Sequence, residues 1–243
     1  MWKGLINIKT KSIWGNPPTR IYKLIKIAKK EWGNNFSACI VGCSDGKFLM
    51  PFARRHIHVK GYDIDDIALY GGTKYFPVIK KKMKYPYSPN FKSQNYKLEK
   101  KRVLGIIKRL EIEKVSGYAN IEKRDFYRSL PKEKFNVVFT SCSLHYSINQ
   151  DFTLEDKTKK LQSIVLPGGY LYIDYMMAID EDDYKTYPEF KFYRKKEILK
   201  YFNEDWEILF IRENDNPSFE GAHVDCVRDH FHRFGYILAR RLK

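Results

Sequence analysis

The sequence predicts an α/β fold built on a mainly parallel sheet. Three observations carry this. Short apolar runs alternate with stretches of helical spacing from about residue 36 onward. A glycine turn, "VGCSDGKF", joins the first apolar run to the first helical stretch. An acid, Asp63, closes the next apolar run about twenty residues later.

The elements follow in order. Residues 1–35 stand apart from the alternation as an N-terminal helical cap, in which "NPPTRIYKLIKIAKKEWG" reads as a proline-started amphipathic helix ended by Gly33. Residues 36–42 read as a buried strand, 47–55 as a helix and 58–62 as a second strand. A third strand is expected near 118–123 and a fourth in "KFNVVFTSCS". Residues 152–165 have helical spacing, and "LPGGYLYIDYMM" reads as a turn followed by a fifth strand. A helix over 195–202 leads to "DWEILFIRE" and "FGYILARRL". With no helical pattern between those last two strands, an antiparallel hairpin at the sheet edge is expected. Between strands two and three lies a basic, aromatic, proline-broken insert at about 71–101, followed by a helix over 103–114.

Composition narrows the function classes. No apolar run approaches the roughly 18 residues that span a bilayer, and the N-terminus lacks the apolar core of a signal peptide. The four cysteines form neither a C-x-x-C pair nor zinc-ligand spacing, as expected for free thiols in a cytoplasmic protein. The net charge of +16 suits an anionic partner such as RNA, a nucleotide or a polar or anionic small molecule. Lysine dominates that surplus, and lysine is the less specific reader of phosphate.

The glycine turn is the first chemical signal. Such a turn between strand and helix gathers backbone N–H groups and the positive helix end at one spot, and small residues let a ligand approach the main chain. Gly42 and Gly46 provide that space, and Asp63 stands where an acid accepts bonds from ribose hydroxyls. The spacing G-x-x-x-G is not the G-x-G-x-x-G of a redox dinucleotide site, and Lys47 is followed by Phe48, so no P-loop is present.

At these residues the chain resembles the class I S-adenosylmethionine-dependent methyltransferases, from about Phe36 to the C-terminus. "IVGCSDGKF", "VKGYDID", "KRDFY", and "FNVVFTSCSLHY" followed by "LPGGYLYI" match the family's motifs in order, with "HRFGYILARR" like its last strand. The resemblance implies a Rossmann-like seven-stranded sheet with helices on both faces, the final strand inserted antiparallel, and S-adenosyl-L-methionine as cofactor. By position, Gly42, Cys43, Ser44, Asp45 and Gly46 would line its methionine part. Asp63 and Ile64 would hold the ribose and flank the base, Asp125 and Phe126 would bracket the adenine, and Ser141 would sit near the sulfonium. Two positions depart from the family pattern: Ile40 replaces an acid that often helps hold the cofactor's amino group, and Ser44 replaces the middle glycine. Asp45 or Ser44 is expected to take over the polar contact; an unusual cofactor derivative with a non-methyl group is the alternative.

For the acceptor side, His145 and Tyr146 occupy the place of a Leu-His-aromatic run found in small-molecule methyltransferases, with His145 a candidate base or packing residue. Tyr85 and Tyr87 of the insert are candidate acceptor contacts, as aromatics that stack on a ring beside lysines. In "AHVDCVRDHFHRFGY", His223, His230 and His232 are further candidates for polar substrate contacts, and no metal site is assigned. The expectation is a small or medium-sized polar acceptor and direct in-line transfer. An RNA or nucleotide acceptor, and a nucleic-acid-binding protein with a decayed pocket, remain alternatives.

Overall fold

The computed structural model describes residues 9–77, 98–141, 143–145, 151–179, 183, 190–220 and 230–243. Helix α1 (Thr19–Trp32) follows Pro18 and closes on Gly33, which takes φ +62° and donates its N–H to the Lys29 carbonyl. Its buried residues Ile21, Leu24, Ile25 and Ala28 fall at i, i+3, i+4 and i+7, one helical face.

The sheet is built from β1 (Ser37–Val41), β2 (His58–Asp63), β5 (Ala119–Lys123), β6 (Phe135–Ser141), β7 (Val165–Met177), β8 (Trp206–Glu213) and β10 (His230–Arg241). Its order is β5-β2-β1-β6-β7-β10-β8, and a short β9 (Ser218–Glu220) pairs with the start of β10. β1, β2, β5, β6 and β7 run parallel, whereas β10 is antiparallel to both of its neighbours, β7 and β8. The final strand is thus inserted antiparallel inside the sheet, leaving β8 at the edge. Gly235 lets β10 take that place: a Cβ there would run into the Tyr175 ring of β7.

Helices cover both faces. α1, α2 (Met50–Ala53), α3 (Asp66–Tyr70) and α4 (Ile106–Ile112) pack with Ile40, Phe139, Tyr172 and Leu238 on one side. α5 (Leu154–Ser163) and α6 (Lys195–Leu199) pack with Val41, Val138, Ile173 and Ile237 on the other. Alternate residues of each central strand therefore enter different cores, so these strands read as continuous apolar runs. α5 starts on a capping box in which Thr153 and Asp156 satisfy each other's backbone N–H.

Several elements differ from expectation. The helix over 47–55 is one turn, Met50–Ala53, because residues 44–49 are spent on the glycine turn. The helix over 103–114 begins only at Ile106, since Val103 ends a strand. That strand, β4 (Leu98–Val103), pairs with β3 (Gly72–Pro77) in a hairpin that closes the two ends of the insert. The expected turn at "LPGG" lies within β7, where the register against β6 shifts and Gly168 adopts φ +77°. Among the described residues no helix is long and apolar enough to cross a membrane.

Candidate functional site

The parallel strands β1, β2, β5 and β6 deliver their C-terminal ends to one rim, where the glycine turn, Asp63, the Asp125 turn and Ser141 meet. Gly42 (φ +71°) and Gly46 (φ +91°) need the left-handed backbone, and Ser44 between them adopts φ +46°. Among the described residues a Cβ at Gly42 would meet only the Ser143 Cβ at 3.5 Å, which leaves space open above that backbone. At Gly46 the corresponding space is filled by Ile106 and Met50, making that glycine a packing requirement. Cys43 is buried, and burial pushes its thiol well above the ordinary range.

Asp63 holds the rim together. Its Oδ2 accepts from the Ser44 N–H at 2.6 Å, and its Oδ1 accepts from the N–H groups of Ile64 and Asp65 at 2.8 and 2.9 Å. Burial raises its pKa, and these three backbone donors pull it back without cancelling the rise. With one donor on Oδ2, that oxygen retains capacity for a ligand hydroxyl. Ile64, 39% exposed, follows it on the rim.

Asp125 accepts from the N–H groups of Tyr127 and Arg128 at 3.1 and 3.2 Å, and its other oxygen lies 3.1 Å from Arg128 Nε. Phe126 is buried against Tyr62, ring centroids 5.9 Å apart. Behind this turn runs a buried chain of hydroxyls. Thr140 donates to the Val41 carbonyl (3.1 Å), so Ser143 must donate to Thr140, and Tyr127 to Ser143 (2.9 Å). β1, β6 and the Asp125 turn are thereby locked to one another.

Asp45, expected to supply a polar contact for the ligand, is 1% exposed and turned the other way. Its oxygens accept from the Ser12 hydroxyl (2.6 Å) and the Ile13 N–H (2.8 Å), with Arg109 Nη1 3.5 Å away. Arg109 also donates to the carbonyls of Asp45 and Thr10 and to the Thr10 hydroxyl. Glu113 accepts from Thr10 and from Arg54, whose bonds outweigh burial and hold its carboxyl below the usual range. Residues 10–14 thus form a strap across the glycine turn, and the Trp14 indole N–H donates to Ser44 Oγ at 2.9 Å.

Ser141 donates to Asp174 Oδ2 (2.7 Å), and Arg20 of α1 reaches the same oxygen at 3.0 Å. Asp174 is fully buried in β7, and the Arg20 guanidinium lies 4.6 Å above the Tyr236 ring. Asp174 and Arg20 escaped the sequence reading. The available signal was a charge inside the apolar run "LYIDYMM", since a buried carboxylate is costly unless paired.

His145 is buried, edge-on to Phe190 at 5.5 Å. Burial, with Lys157 nearby, lowers its pKa to about 3, so the ring stays neutral and is a poor proton acceptor. His232 is buried on β10 beside Phe234 at 4.5 Å. His230 starts the same strand. Tyr146, Tyr85, Tyr87 and His223 lie outside the described residues. Among the described residues no cluster of three or more His, Cys, Asp or Glu is spaced for a metal.

Lys157, 1% exposed, donates to the Leu144 carbonyl at 2.9 Å and keeps the loop after β6 in place. Burial, reinforced by Lys191, lowers its pKa to about 8. Below about pH 8 both folded and unfolded chains carry that proton. Between about 8 and 10.4 only the unfolded lysine keeps it, so stability is expected to rise with pH, by at most about 3 kcal/mol. Thermal melts from pH 7 to 10 should show that rise in the native protein and its loss in Lys157→Met.

No protein-family model matches the sequence, and no curated protein matches it. Solved structures match the fold. TehB from Haemophilus influenzae superposes with a TM-score of 0.60 at 14% identity, covering 92% of this chain and 62% of that one. The geranyl diphosphate C-methyltransferase of Streptomyces coelicolor A3(2), solved with S-adenosyl-L-homocysteine, gives 0.58 at 10% identity over 92% and 80%. The N-methyltransferase NodS of Bradyrhizobium japonicum WM9 gives 0.55 at 10% identity over 93% and 96%. The chain spans just under two thirds of TehB and most of the other two.

Proposed function

We propose that this chain, which has the class I methyltransferase fold, is an S-adenosylmethionine-dependent methyltransferase acting on a small or medium-sized polar acceptor. The observation that carries the reading is the rim itself. A left-handed glycine turn with open space above Gly42 is fixed by the half-buried carboxylate of Asp63, at the C-terminal ends of β1 and β2, in a parallel sheet whose last strand is inserted antiparallel. The residues present fit the cofactor: Asp63 Oδ2 has room for a ribose hydroxyl, Ile64 stands beside it for the base, and Asp125 and Phe126 mark the adenine end.

S-adenosylmethionine supplies, when bound, an activated methyl group on a sulfonium. What the protein contributes is mainly placement, because aligning the reacting atoms removes much of the barrier. Ser141 ends β6 and pairs in register with Asp174 of β7 on the same rim. With His145 neutral and buried, no general base is assigned to it, which suits an acceptor atom that attacks without first losing a proton.

A second reading, an RNA or nucleotide acceptor, draws on the β3–β4 hairpin. Lys100, Lys101 and Arg102 are exposed there, with Tyr75 58% exposed on the facing strand.

The test is calorimetric titration with S-adenosylmethionine and S-adenosylhomocysteine, followed by incubation with methyl-labelled cofactor and fractionated extract. Binding of both and label in a small-molecule fraction is the expected result. Label in RNA would move the acceptor to the second reading, and no binding of either ligand would end the methyltransferase reading.

A further inference from the structure

The gap left by Ile40 has a structural answer two strands away in the sheet. Across the sheet, Ile40 faces Phe139 of β6, and Phe139 faces Tyr172 of β7. All three belong to the core on the α1 side. Two residues further toward the rim, on that same face, the register places Ser141 beside Asp174. The row that is apolar at Ile40 therefore becomes polar one step higher, and its carboxylate comes from β7 instead of β1.

Arg20 completes the arrangement. It donates to Asp174 through Nη2, and Tyr236 supports its guanidinium plane. Its Nε is buried and has no hydrogen-bond partner among the described residues. A buried N–H in that state carries a standing desolvation cost that an oxygen of a bound ligand would relieve. Burial opposes the charge, but Asp174, with the Tyr172 and Tyr236 hydroxyls, outweighs it and keeps Arg20 firmly protonated. A fixed cation beside a fixed carboxylate is the complement of a zwitterion, whose carboxylate and ammonium are likewise close neighbours.

We infer that Arg20 and Asp174 together hold the amino-acid end of the ligand, Arg20 taking its carboxylate through the unused Nε–H and Asp174 its ammonium. The inference rests on the methyltransferase reading, in which that end is the methionine part of the cofactor. It assigns to β7 and α1 the grip that Ile40 cannot give and that Asp45, committed to the strap, does not offer.

The experiment compares two ligands sharing the adenosine: S-adenosylhomocysteine, which carries the amino acid, and 5′-methylthioadenosine, which lacks it. Full-length wild type, Arg20→Gln, Asp174→Asn and the double variant are titrated by calorimetry. The double variant removes both charges, so it leaves neither one buried and unpaired if a single variant fails to fold. The expected result is a loss of about 10- to 100-fold for S-adenosylhomocysteine in each variant, with 5′-methylthioadenosine held within about twofold of wild type. Unchanged S-adenosylhomocysteine affinity, or an equal loss for both ligands, would overturn the inference while leaving the cofactor site standing. A wild type that binds neither ligand overturns the methyltransferase reading, and this inference with it.

Discussion

Asp63→Ala is expected to lose S-adenosylhomocysteine binding by at least about 100-fold and to melt roughly 5–15 °C below the native protein. Both effects have one cause. The carboxylate accepts from three backbone N–H groups on two loops, Ser44 on one and Ile64 and Asp65 on the other. Bonds of this charge-assisted kind contribute about 1.5–3 kcal/mol each, although three on one group do not add in full. Alanine leaves the left-handed Ser44 without an acceptor for its backbone N–H, held through the Trp14 bond to its hydroxyl, and removes the oxygen proposed to take a ribose hydroxyl. Asp63→Asn should fall between, since its amide keeps one accepting oxygen but turns an NH2 toward backbone donors. Calorimetry and thermal denaturation on the same samples check both halves. Retention of full affinity in Asp63→Ala would take the adenosine site away from this rim.

Arg109→Leu is expected to be the most destabilising change in the strap, by about 3–5 kcal/mol, because it removes one member of a buried ion pair and strands the other. Asp45 and Glu113 balance Arg54 and Arg109 in a buried cluster that ties Thr10, Ser12 and Ile13 down. Without the Arg109 guanidinium, the carbonyls of Thr10 and Asp45 lose donors and Asp45 keeps an uncompensated charge. Freed residues 10–14 should then expose Trp14, shifting its fluorescence to the red, and open the chain to trypsin at Lys9 and Lys11. Glu113 adds a pH signature. Its folded pKa is depressed, so its contribution is present above the unfolded value of about 4.3 and lost as pH falls through the folded one. A variant melting within about 2 °C of wild type, with Trp14 emission unchanged, would show that the strap is held by something else.

The strands and their order of use were legible in the sequence because they are local. Each central strand is five to thirteen residues of apolar pattern, and its hydrophobicity follows from being covered on both faces. The glycine turn and Asp63 were legible for a related reason: left-handed backbone at Gly42 and Gly46 requires a residue type that shows in the sequence. The hairpin of β3 and β4 was not, since its strands are polar and twenty residues of sequence separate Pro77 from Leu98.

The sequence by itself determined the sheet class, the glycine turn and the acid that fixes it, all of which depend on pattern and spacing over short stretches. Only the tertiary structure decided what the polar groups do. Asp45 belongs to the strap, His145 is neutral, and Arg20 meets Asp174 across 154 positions of chain. Burial and partner set the protonation and duty of an ionisable side chain, and both are supplied by residues that folding alone brings near.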